Sequence, residues 1–160
     1  MVRRVAVPGR ILGMGLLDVV DYQDSYVVIG SPGLRAGRSA DALAALAFGS
    51  VPRLRGVVAA LQRCVLRLRL DASSSAPLSG WKRLRDEPDE AVYGVDGTLL
   101  VLRLVVSATA AKIQVSTLVR FDKPAGRLLW AVAGPVHRVV ARVVLHRGID
   151  AARRENTRPA

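Results

Sequence analysis

The first regular pattern along the chain is an alternation. Tyr22, Asp24, Tyr26 and Val28 share one parity and Gln23, Ser25, Val27 and Ile29 the other, which predicts a strand over Val19–Ile29. Gly30-Ser31-Pro32-Gly33 then provides a stop. A helix is expected from Ser39, a good N-cap, with Asp41 in its first turn and Leu43, Ala44, Ala47 and Phe48 on its buried side, up to Gly49. A second helix is expected from Ser50, with Pro52 where a missing N–H costs nothing. Leu54, Val57, Val58, Leu61, Val65 and Leu68 trace its apolar face, and Arg53, Arg55, Arg63, Arg67 and Arg69 lie off it. Cys64 falls near that face and reads as a small core residue. Asp71–Gly80, with three consecutive serines and a proline, reads as a loop.

From Trp81 the period changes to two. A short strand over 81–85, the acidic turn Glu87–Glu90 and a strand Ala91–Val95 lead to Asp96-Gly97, a strong hairpin signal when both positions take positive φ. Thr98–Ser107 and Lys112–Phe121 follow as two strands joined by Ala108–Ala111. If Ser107 opposes Lys112, then Leu100, Leu102, Leu104 and Val106 face Val119, Thr117, Val115 and Ile113, giving one dry side and one mostly polar side. Asp122–Gly126 would turn into a last strand, Arg127–Ala133, whose inward face the pattern leaves open. Gly134-Pro135 would then open a long helix in which Val136, Val139, Val140, Val143 and Val144 form one stripe, with Arg138 and Arg142 off it. Five valines are weak helix formers, so burial has to hold this segment helical.

These elements give an α+β domain: a curved antiparallel sheet, two short helices after its first strand, and a long C-terminal helix packed on the sheet. We place one domain at 18–152, an N-terminal arm at 1–17 and a tail at 153–160. Arg3 and Arg4 before the run Ile11–Leu17 superficially resemble a secretory signal, but Pro8, Gly9, Gly13 and Gly15 interrupt it and no cleavage site follows.

Composition changes the picture in three ways. Apolar residues make up 51% of the 160, yet aromatics only 4%, so the core is built from Val, Leu and Ala. Arginines break the longest apolar runs well short of the ~18 residues of a membrane span, and we expect none. The net charge is +11, carried mostly by arginine with only Lys82, Lys112 and Lys123 as lysines. Because these cations are dispersed along the chain, they argue for a solvated surface and against nucleic acid as a partner. The single cysteine excludes an intrachain disulfide, and a cytoplasmic location is the default.

Three segments carry a family resemblance: Asp21-Tyr22-Gln23-Asp24-Ser25-Tyr26, Gly80-Trp81, and Leu129-Trp130-Ala131-Val132-Ala133-Gly134-Pro135-Val136-His137-Arg138. Over roughly residues 18–150 the chain resembles a bacterial family of unknown function assigned to the START-like superfamily, which includes birch-pollen-allergen-like and polyketide-cyclase-like proteins. That resemblance implies a helix-grip fold with an apolar pocket between the sheet and the last helix. The parent fold usually has seven strands against the six read here, leaving an edge strand absent, or hidden in the lead-in or near Leu84. Similar domains also occur behind nucleotide-binding reductase-like domains; nothing in these residues supplies one.

No constellation reaches a catalytic motif. His137 beside the valine stripe could serve as a polar anchor or proton shuttle, or simply bond a carboxylate such as Asp24. His146 reads as a surface residue. Two histidines without acidic or cysteine residues at ligand spacing give no metal site, and no cofactor is implied. Asp21 and Asp24 would face opposite sides of a strand, which argues against a carboxylate dyad. Gly13-Met14-Gly15 and Gly30, Gly33 and Gly37 lack the setting of a phosphate loop and read as turns. The leading expectation is an apolar small molecule bound by Tyr22, Asp24, Tyr26, Leu100, Leu102, Leu104, Ile113, Val115, Trp130, His137 and Val140. A cyclase- or hydrolase-type enzyme using Asp24 or His137 ranks second, and arginine-driven binding to nucleic acid or an anionic surface third. A homodimer is left open.

Overall fold

The computed structural model describes residues 1–30, 35 and 37–156, with the side chains of 53–55 left aside. The expected stop and glycine echo at 31–34, the contribution of Leu54 and the last residues of the tail lie outside the described residues. The elements run β1 (Val2–Val5), α1 (Gly9–Leu12), β2 (Tyr22–Ile29), α2 (Ala40–Gly49), α3 (Pro52–Ala60), β3 (Lys82–Glu87), β4 (Glu90–Asp96), β5 (Leu100–Ala108), β6 (Lys112–Phe121) and α4 (Pro124–Asn156). A wider π-type turn, Leu61–Val65, continues α3. The six strands form one antiparallel sheet in the order β1-β2-β6-β5-β4-β3. The expected α+β class is what the chain adopts, with α4 packed on one face of the sheet.

The two parities of each strand divide the protein. Tyr26, Val28, Tyr93, Leu100, Leu102, Leu104, Val106 and Val119 point into the main core, together with residues of α2 and α4. Val92, Val105 and Leu118 point to the opposite face, where Ile11 and Leu17 cover them. The expected N-terminal arm is therefore structured: it adds an edge strand, pairing Val2 with Val28 and Val5 with Ser25, and then crosses the back of the sheet to bury Ile11 completely. Of the glycines that break its sequence pattern, Gly15 takes a left-handed backbone conformation, φ 64°, within this wrap. The sixth strand is this one.

The segment Arg127–Ala133, expected as a strand, is instead the second and third turns of α4. Its apolar residues run continuously, so period two and period 3.6 fit it equally. Packing decides: Gly126, Trp130, Ala133 and Gly134 are buried at three-four spacing, and Leu128 and Val132 are left outside. Pro135 therefore lies inside the helix rather than at its start. It withholds the N–H that Ala131 would receive, at two positions that are both exposed, so solvent can serve that carbonyl.

The earlier start also divides the expected valine stripe. Val144 is buried and Val140 half-buried, while Val136, Val139 and Val143 are exposed. The inward face is completed by small residues that permit close approach. A Cβ on Gly148 would lie 2.6 Å from the Ala47 Cβ of α2, and one on Gly126 would lie 2.3 Å from the Leu99 carbonyl oxygen.

Smaller corrections have equally local causes. Strands β5 and β6 pair Ser107 with Gln114 and Leu104 with Thr117, two residues from the expected register, because β5 continues to Ala108 and the turn closes from Thr109 to Lys112. An even shift leaves every side chain on its expected face. The Asp96-Gly97 hairpin exists, but Gly97 is not at positive φ; the Gly97 N–H bonds the Leu100 carbonyl, and the missing side chain lets the Arg67 carbonyl and the Leu68 side chain approach. Ser39 caps α2 as expected by accepting from the Ala42 N–H, whereas Ser50 donates to Ala47 and Val51 occupies the cap position of α3. The expected apolar face of the second helix is only partly inward: Val58 and Leu61 line the cavity, whereas Val57 of α3 and Cys64 and Val65 of the π-type turn are exposed.

Candidate functional site

Between the sheet, α2, α3 and α4 lies a cavity of about 120 Å³. The sheet supplies Leu102, Leu104, Val106, Ile113, Val115 and Thr117, all on the parity that points away from the N-terminal wrap. Leu43, Ala44, Ala47 and Phe48 of α2 form one side; Trp130, Ala133, His137, Val140, Ala141, Val144 and Leu145 of α4 close it from above. The side chains that made α2 amphipathic in the sequence are thus its wall. A second recess of about 50 Å³ shares Phe48, Val58, Gln62, Leu78, Trp81, Val140 and Val144 with the first and adds Val51, Ala59, Pro77 and Ser79. It lies between α3, the 71–80 loop and α4.

One end of the cavity is polar. Asp24 of β2 and Thr117 of β6 are direct cross-strand partners, so both project toward α4, where His137 meets them. His137 Nε2 lies 3.2 Å from Thr117 Oγ1 and 3.6 Å from Asp24 Oδ1. The Tyr22 hydroxyl donates to Asp24 Oδ2 at 2.8 Å, and the Tyr26 hydroxyl approaches the same oxygen at 3.5 Å. Trp130 packs edge-on to Tyr22, with ring centroids 5.2 Å apart, and tilted against His137 at 5.4 Å. Arg142 lies over the Tyr26 ring.

Burial is the strongest influence on the Asp24 carboxyl and works to raise its pKa. The neighbouring His137, with hydrogen bonds from Tyr22 and Thr117, outweighs it and holds the group below the ordinary carboxylate range. Burial, followed by the bond to Asp24, pushes the Tyr22 phenol up. The cluster thus favours a carboxylate beside protonated phenols, held by the histidine. Two of its buried polar atoms, Asp24 Oδ1 and Trp130 Nε1, have no hydrogen bond, and Asp24 Oδ1 has only the 3.6 Å approach of His137. A buried polar atom left without any partner, as Trp130 Nε1 is here, is rare and costs about 1–3 kcal/mol.

Of the residues expected to bind a ligand, Leu102, Leu104, Ile113, Val115, Trp130, His137 and Val140 line the cavity. Tyr22, Asp24 and Tyr26 stand behind its polar end and act on it through His137 and Trp130. Leu100 is buried in the core away from it. The expected bond between His137 and an acidic partner such as Asp24 takes the form of this ion-pair distance. Sequence reasoning missed Thr117, although a single polar residue in an apolar row was its signal. It also missed the mouth residues Phe48, Gln62 and Trp81; nothing in their spacing marks them, since three separate elements bring them together.

Asp21 lies just before β2 and makes no contact with Asp24. It accepts from the Phe121 N–H at 2.7 Å and from Arg127 at 3.4 Å, tying the end of β6 to the start of α4. His146 forms an exposed i,i+4 pair with Asp150. Among the described residues, no three His, Cys, Asp or Glu side chains gather in a way that could hold a metal.

No curated protein and no solved structure matches the chain. A family model does, over residues 26–144, which include β6, most of the cavity wall and most of α4. The chain belongs to DUF2867, a family of proteins of unknown function.

Proposed function

We propose that this protein is a START-like, helix-grip domain that binds a small apolar molecule carrying one hydrogen-bonding group. The observation that carries the reading is the pairing of a mostly aliphatic cavity of about 120 Å³ with a polar end where His137 and Thr117 reach the wall, the other polar lining residue, Gln62, being engaged by the Trp81 indole N–H. An apolar cavity of roughly 150 Å³ stays dry and accepts benzene, so the occupant is of about that size. A longer molecule would extend its apolar end into the recess between Phe48, Trp81 and Val144. The volume is below the roughly 300–1,000 Å³ of drug-sized sites, which favours a compact ring or short chain.

Binding is favoured over catalysis because, among the described residues, His137 is the one titratable side chain that lines the cavity, with Asp24 lying behind it. A cytoplasmic setting remains our reading for a chain whose lone cysteine is exposed and unpaired. The test is native mass spectrometry of protein isolated from its own host, compared with an Ala141→Phe variant. Wild type should carry a bound small molecule and the variant, whose added ring fills the cavity, should not. A wild-type protein that is empty and takes up none of a panel of small cyclic alcohols and phenols would refute the proposal.

A further inference from the structure

The side of α4 that faces away from the sheet is apolar for most of its length. Leu128, Val132, Val136, Val139 and Val143 recur at steps of three and four and are exposed, Val132 at 76% and Val139 at 61%. At ~1.5 Å per residue they make a stripe roughly 22 Å long, far more than scattered surface apolar residues produce. From Pro124 to Ile149 the helix has no Asp or Glu, and it carries Arg127, Arg138, Arg142 and Arg147. Elsewhere many arginines are neutralised locally, as Arg83 is by Asp41, Arg103 by Asp96 and Arg120 by Asp18 and Asp122. Among the described residues, Arg138 and Arg147 form no such pair, while Arg142 lies over the Tyr26 ring.

We propose that this face docks the protein peripherally on an anionic phospholipid bilayer. The stripe would enter the acyl–headgroup boundary and the unpaired arginines would meet lipid phosphates. A second copy fits the face poorly, because pairing it with itself would bring its arginines together with no acid between them. The helix is long and apolar enough to span a bilayer, with a best 18-residue window of mean hydropathy 1.5. Spanning would strip Trp130, Ala133, Gly148 and Ile149 from the core and place Arg138 and Arg142 in hydrocarbon. Lying on the surface preserves every one of those contacts. Val140 and Val144 of the same helix border the recess beside the cavity, which sets that opening next to the docked face. Docking does not depend on what fills the cavity.

Co-sedimentation with phosphatidylcholine vesicles, with and without phosphatidylglycerol, tests this. The protein should sediment only with the anionic vesicles, and raised salt should weaken it. A Val132→Asp/Val139→Asp variant, altered only at exposed positions and checked for an unchanged melting curve, should bind at least about tenfold more weakly, as should Arg138→Gln/Arg147→Gln. No sedimentation with anionic vesicles, undiminished binding by the aspartate variant, or release only by detergent would overturn the proposal. So would a dimer in ultracentrifugation that the aspartate variant dissolves, since a second copy would then cover the face.

Discussion

Gly126→Ala probes the start of α4 at one atom. Its new Cβ would be 2.3 Å from the Leu99 carbonyl oxygen, which already accepts the Asp122 and Lys123 N–H groups at 3.0 and 3.3 Å. An ordinary carbon–oxygen contact needs about 1 Å more, so the helix or the Leu99 turn must move and disturb both bonds. Two weakened hydrogen bonds contribute about 1–2 kcal/mol and overpacking about 1–3 kcal/mol, against a gain of ~1 kcal/mol in helix propensity. The net loss is about 2.5 kcal/mol, a fall in Tm of roughly 5–10 °C for a chain this long. Gly56→Ala in α3 is the matched control: nothing lies within 4 Å of its added Cβ. It should gain up to ~1 kcal/mol. Differential scanning calorimetry and urea unfolding of the three proteins measure both effects. If Gly126→Ala is neutral or stabilising, the first turns of α4 do not press on Leu99, and a strand at 127–133 returns as the better description.

Two further outcomes follow from the site and the surface. Because Asp24 titrates below its ordinary value when folded, its stabilisation is fully present above the unfolded pKa of about 3.9 and is lost as pH falls through the lower folded value. Urea midpoints should therefore drop below about pH 4, and Asp24→Asn should flatten that acid limb relative to wild type; an identical limb in both would remove Asp24 from the account. Cys64 is exposed and should react with a thiol reagent in the native state as fast as in urea, whereas reaction only on unfolding would place it in the core.

The parts of the fold that were legible in sequence are those with one polar and one apolar side. Strands β4 to β6 alternate cleanly, so their faces could be assigned even where the register was two residues off. The Ser39 cap and the Leu43–Phe48 face of α2 are short-range signals and behave as such. Segment 128–136 is apolar on every side, and periodicity cannot rank faces that are equally hydrophobic. Its inward face is marked by what the residues lack: Gly126, Gly134 and Gly148 permit close packing that bulkier residues would prevent. The N-terminal wrap was hidden for another reason, since Ile11 is buried by a sheet face whose own parity looked only half apolar. At the site, His137 and Asp24 were visible as isolated polar residues. Their partnership with Thr117 depends on the β2–β6 pairing of strands nearly a hundred residues apart, which no local pattern encodes.

Methyl NMR gives the most direct test that the cavity receives a ligand. With isoleucine, leucine and valine methyls labelled, titration with a small phenol should shift Leu104, Ile113, Val115, Val140 and Leu145, leaving Val92, Val105 and Leu118 on the far face unmoved. Shifts confined to the exposed Leu128, Val132 and Val139, or none anywhere at saturating ligand, would contradict a binding site between the sheet and α4.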